Sequence, residues 1–133
     1  MASIVTAECL TRAWRRADIK LNLDGQMHVL RWRRGPFADE VLFDERCVAR
    51  STGLFGRETI YGLAPIAESG EEIRLLLTID PELDWSDWSG ATRIRGVRLE
   101  TASEVLVAEG SFGPSPVDRF GEFFDRAVKA MGL

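Results

Sequence analysis

The stretch Asp18-Ile19-Lys20-Leu21-Asn22-Leu23-Asp24-Gly25, continued by Gln26 to Arg33, decides the fold class. Ile19, Leu21 and Leu23 alternate with Lys20, Asn22 and Asp24, the period of two expected of a half-buried strand. Asp24-Gly25 is a two-residue hairpin signal, because glycine accepts the positive φ that tight turns need. Gln26 to Arg33 is then the return strand, and Gly35-Pro36 ends it.

The same grammar continues downstream. Glu40 to Phe43 and Arg46 to Ser51 read as short strands joined at Asp44-Glu45. Gly53 and Gly56 bracket Leu54-Phe55 in a loop, and Glu58 to Ile66 is mostly extended. After a turn at Glu68-Ser69-Gly70, Ile73, Leu75, Leu77 and Ile79 alternate with Arg74, Leu76, Thr78 and Asp80. This is the most apolar strand and is expected to be central. Pro81 to Gly90 reads as a polar loop containing tryptophan. Thr92 to Glu100 is extended, but Ile94 has the opposite parity to Val97 and Leu99, so a β-bulge is expected at Gly96. Glu104 to Glu109 is the last strand.

The two ends read differently. Ile4, Ala7, Leu10, Trp14 and Ala17 have the spacing of a short helix over residues 3–17, with an extended segment as the alternative. After a linker from Gly110 to Pro116, Ser115-Pro116-Val117-Asp118 suits a helix start. Phe120, Phe123, Phe124, Ala127, Val128 and Met131 form one apolar stripe of a helix at about residues 116–131, with Gly132 as its C-terminal cap. The whole predicts a single mainly β domain over residues 1–133. It is an antiparallel β-sandwich or open barrel of about eight short strands, with a C-terminal amphipathic helix and a possible short N-terminal one.

Composition sets the limits. The 133 residues are 45% hydrophobic, enough for one core. No stretch approaches the ~20 apolar residues of a membrane-spanning helix. Met1 to Thr11 lacks a basic leader and carries Glu8, so a cytoplasmic location is expected. The net charge of −4 argues against a nucleic-acid partner. Fifteen of the 17 basic residues are arginine, which suits planar recognition of carboxylate or phosphate and equally suits ordinary surface charge. Cys9 and Cys47 form neither a metal spacing nor a redox pair, and both are expected to be free and at least half-buried.

The chemical inventory is thin. The one histidine, His28, sits on a predicted strand next to a hairpin, where it reads as a packing residue or a pH-sensitive contact. There is no phosphate-binding loop, dinucleotide fingerprint, zinc spacing or nucleophile elbow, so neither a cofactor nor a metal is expected, and the chain does not read as an enzyme. Asp80, Glu82, Asp84 and Asp87 cluster in one loop but lack the glycine turn and closing glutamate of a calcium site. Trp85 and Trp88 share that loop, either folded back onto the core or used as partner-binding residues. Arg31 and Arg33 flank Trp32 with shared parity, and Arg93, Arg95 and Arg98 lie on a late strand. If those strands are neighbours, the two sets make an anion-binding face. Otherwise they form a solvated charged face.

Two segments resemble the Fas apoptotic inhibitory molecule family. Asp24-Gly25 followed by His28, Leu30, Trp32 and Gly35, and then Val41, Phe43 and Asp44, are similar to that family's hairpin and next strand. Leu54-Phe55-Gly56-Arg57-Glu58-Thr59-Ile60-Tyr61 is similar to a family run ending in Lys-Glu-Thr-aromatic-Tyr. The resemblance covers roughly residues 13–80. It departs where Glu45 stands in place of glycine, in the longer spacing before the hairpin and in the C-terminal helix. It implies an all-β sandwich without catalytic residues, acting through protein contacts. The sequence thus predicts a non-enzymatic protein-interaction module, with another protein or a second copy as partner. The alternative is a small-ligand or phosphate-headgroup binder with a pleckstrin-homology-like layout of strands and closing helix.

Overall fold

A computed structural model describes residues 5–13, 16–34, 38–51, 59–67, 69–83, 92–110 and 119–130. Among the described residues, nine strands precede one helix: β1 (Val5–Ala13), β2 (Arg16–Leu23), β3 (Gln26–Arg34), β4 (Asp39–Phe43), β5 (Arg46–Ser51), β6 (Thr59–Leu63), β7 (Leu75–Leu83), β8 (Thr92–Glu100), β9 (Val105–Glu109) and α1 (Phe120–Ala130). They form a five-stranded sheet, in order β1 to β5, and a four-stranded sheet, in order β6 to β9. Every pairing between the described strands is antiparallel. The mainly β sandwich predicted from alternation is the fold.

Local chemistry accounts for the register. Asp24 and Gly25 take φ of 51° and 88°, so Leu23 pairs with Gln26 and the hairpin closes in two residues. Asn22 Oδ1 accepts the Gly25 N–H at 2.8 Å. Asp44 and Glu45 make a second such turn at φ of 49° and 69° without a glycine. The bulge expected at Gly96 is present. Asp80 pairs with Gly96 and Pro81 with Ile94, which leaves Arg95 as the extra residue and returns Ile94 to the core side.

Between the sheets, Ile19, Leu21, Leu30 and Trp32 meet Tyr61, Leu75, Leu77, Ile79, Val97 and Leu99, all at most 1% exposed. Each such side chain contributes roughly 1.5–3 kcal/mol of burial. β1 approaches β8 and β9 along one side, and β5 approaches β6 along the other. The strand expected to be central, β7, lies inside its sheet. Its second face is also covered, because α1 lays Phe120, Phe124 and Ala127 over Leu76. Gly62 permits this approach, since a Cβ there would meet Val128 Cγ2 at 2.7 Å and Phe124 O at 3.3 Å.

Three expectations need correction. Residues 5–13 form strand β1, not a helix. Val5, Ala7 and Cys9 pack on the core with period two, and Leu10 is an exposed bulge residue that breaks the phase and mimics a helical spacing. Pro81 to Leu83 continues β7 and does not begin a loop, since the bulge accommodates the proline. Cys47 is free but exposed, because its pairing with Leu42 puts it on the outer face. The expected helix start at Ser115-Pro116 and the cap at Gly132 lie outside the described residues.

Candidate functional site

The outer face of the five-stranded sheet carries a belt of shared ion pairs. Arg31 follows Leu30 and precedes Trp32, both core residues, so alternation turns it and Arg33 outward together, as expected. Asp18 lies opposite Arg31 in the β2–β3 register and accepts its Nε–H at 2.8 Å. Arg16 Nε reaches the other Asp18 oxygen at 3.3 Å. Arg33 donates from Nε and Nη2 to Glu40 Oε2 at 3.0 and 2.7 Å, and Arg50 Nη2 donates to Oε1 at 3.2 Å. Each carboxylate thus serves two guanidiniums. The Asp18 hydrogen bond and charge raise the Arg31 pKa, and the Arg33 hydrogen bond holds the Glu40 carboxyl below its usual range.

Exposed apolar side chains adjoin the belt. Val29 and Met27 continue the outward parity of Arg31 and are 39% and 49% exposed, and Leu10 on β1 is 53% exposed. Val29, Arg31 and Leu42 floor a shallow depression bounded by the Asp44–Glu45 turn.

Beside the β4–β5 turn, His28 Nδ1 bonds Asp44 Oδ2 and its ring stacks on Phe43 at 4.9 Å. The Val29 N–H donates to Asp44 Oδ1 at 2.9 Å. Partial burial pulls the Asp44 carboxyl up, but these two bonds outweigh it and hold it below its usual value. The arrangement fastens the β4–β5 turn to β3. His28 is therefore both a packing residue and one partner of a polar contact.

Inside the sandwich, Trp32 Nε1 donates to Tyr61 Oη at 3.0 Å and so joins the two sheets. Burial pushes the Tyr61 phenol up to about 12, so it stays protonated near neutral pH and serves as a hydrogen-bond acceptor for the indole. Arg34 and Asp39 pair beside this link at 3.1 Å, and the Arg34 guanidinium lies 5.9 Å from the Trp32 ring centroid.

The second arginine set lies on the other sheet. Arg93 and Arg95 lie on β8, in the opposite sheet from Arg31 and Arg33, so the strand neighbourhood that would unite the two sets does not occur. Arg98 is buried on the outer face of the four-stranded sheet, 3.3 Å from Glu100. Asp80 and Glu82 belong to β7. Trp85, Trp88, Asp84 and Asp87 lie outside the described residues. Among the described residues no group of His, Cys, Asp and Glu could hold a metal ion. No described helix is long and apolar enough to cross a membrane.

Sequence reasoning missed Arg16, Asp18, Glu40 and Arg50. Counting back from the two-residue turn at Asp24-Gly25 puts Asp18 opposite Arg31, so that half of the belt had a signal. The other half did not, because a bulge at Val48 shifts β5 by one residue before Arg50 meets Glu40.

No protein-family model matches the chain, and neither does any curated protein or any solved structure.

Proposed function

We propose that the chain is a non-enzymatic interaction module whose five-stranded sheet presents its outer face to an acidic protein partner that also carries apolar side chains. One observation carries this reading: carboxylates on that face are each shared by two arginines, next to exposed Val29 and Met27. Arg16, Lys20, Arg31, Arg33 and Arg50 stand against Glu8, Asp18 and Glu40, with Glu45 nearby in the turn. At its strand positions the face thus carries five cations against three carboxylates, on a chain of net charge −4. Such complementarity steers an acidic partner, and the apolar residues supply the buried part of the contact. The resemblance to the Fas apoptotic inhibitory molecule hairpin points the same way, toward contact and away from chemistry.

The test titrates a peptide of alternating glutamate and leucine into the labelled protein and follows amide shifts. Shifts centred on Val29, Arg31 and Arg33, weakened by salt and lost in Arg16→Glu/Arg33→Glu, are expected. Shifts elsewhere, or none, overturn the proposal. Binding to anionic phospholipid vesicles but not to the peptide would favour the headgroup alternative. Sedimentation of the protein alone reads out a second copy as partner.

A further inference from the structure

We propose that the open seam between β5 and β6 is a binding site for a small apolar carboxylate. The two strands close the sandwich on this side without a ladder between them, since β5 is hydrogen-bonded to β4 and β6 to β7. One end of the seam is latched by polar contacts, where Tyr61 meets Ser51 and Trp32. The other end is an apolar cavity of about 300 Å³, walled by Phe43 and Val48 from one sheet, Leu63 and Leu75 from the other, Pro65 from the connection between β6 and β7, and Val128 from α1. Its size is at the small end of ligand pockets.

The chain builds this opening with a specific device. Val41 pairs with Ala49 and Leu42 with Cys47, so Val48 is the extra residue of a bulge in β5. A bulge re-aims a side chain and bends its strand. Val48 lines the cavity as a result, although strict alternation from the core residue Ala49 would send it outward. Gly62 contributes in the opposite way, because its missing side chain lets Val128 close the cavity from above.

The polar end of the ligand is set by Arg46. Arg46 pairs directly with Phe43, and cross-strand partners share a sheet face, so its guanidinium stems from the face that carries the cavity wall. Arg31, Arg33, Arg34 and Arg50, the other described arginines of β3 to β5, each hold a carboxylate. Arg46 is exposed and makes no ion pair among the described residues. The neighbouring acids are engaged elsewhere. Asp44 is bound by His28 and the Val29 N–H, and Glu45 acts on Arg31. An apolar tail in the cavity with its carboxylate on Arg46 satisfies both features, and the guanidinium fork matches a carboxylate geometrically.

The test uses the full chain with octanoate, 1-octanol and butyrate as probes, read by calorimetry and by methyl shifts of Val48, Leu63 and Val128. Octanoate should bind saturably, raise the melting temperature and move those methyls, and butyrate should bind far more weakly. Arg46→Gln should weaken octanoate about tenfold and leave octanol unchanged. Val48→Phe should fill the cavity and abolish both. If that variant melts early, Ala64→Phe fills the same cavity from its rim. Absence of octanoate binding to the wild type overturns the proposal. So does binding that survives cavity filling, or octanoate binding unaffected by Arg46→Gln.

Discussion

Asp18 stands directly across the β2–β3 ladder from Arg31, accepts its Nε–H at 2.8 Å, and holds Arg16 on its other oxygen at 3.3 Å. One carboxylate thus fixes two guanidiniums at the start of a hairpin. Its side chain is only 10% exposed, so the hydrogen bond forms in a partly desolvated setting. Asp18→Ala should lower stability by about 1–2 kcal/mol in urea unfolding and should tighten binding of an acidic peptide. Unchanged peptide affinity would separate the belt from recognition.

The link between sheets is testable by removing a single atom. Tyr61→Phe leaves the buried Trp32 indole N–H without its acceptor. The expected loss is about 1–3 kcal/mol, read from denaturant unfolding. A near-zero loss would mean that packing alone holds the two sheets.

Tyr61 is the only tyrosine, so its ionisation can be followed by phenolate absorbance. Burial raises the phenol from 10.0 to about 12. A raised value in the folded state gives stability that is present below the unfolded pKa and is lost as pH rises through the folded one. Stability should therefore fall from about pH 10 to about pH 12, with the phenolate appearing only as the fold opens. Ionisation near pH 10 in the folded protein would contradict this.

Asp44 governs the acid side in the opposite sense. Its lowered pKa gives stability that is present above the ordinary aspartate value and lost as pH falls through the folded one. Unfolding midpoints should drop below about pH 4 in the wild type, and Asp44→Asn should flatten that drop. An unchanged slope in the variant would assign acid sensitivity to other carboxylates.

Gly62 should tolerate no side chain. Gly62→Ala puts a methyl within 2.7 Å of Val128 Cγ2 and 3.3 Å of the Phe124 carbonyl. The helix must shift, at about 1–3 kcal/mol by thermal or urea unfolding. Adding Val128→Ala should restore only part of this, because the backbone contact remains.

The sequence by itself determined what depends on neighbours in the chain. Alternation in residues 18–33 gave two strands, their buried faces and the common side of Arg31 and Arg33. Positive-φ residues at Asp24-Gly25 closed the hairpin in two residues, and that closure placed Asp18 against Arg31. The parity slip after Ile94 gave the bulge beside Gly96. Only the tertiary structure decided the rest. The edge of β2 drew residues 5–13 into a strand against a helix-like spacing, because ladder bonds and core contacts outweigh weak local preference. The Val48 bulge, the pairing of Glu40 with Arg50 and the cavity beside Arg46 follow from how β4, β5 and β6 meet. The close seat of α1 over Gly62 joins residues far apart in the chain. Packing between distant segments sets these features, and no local period encodes it.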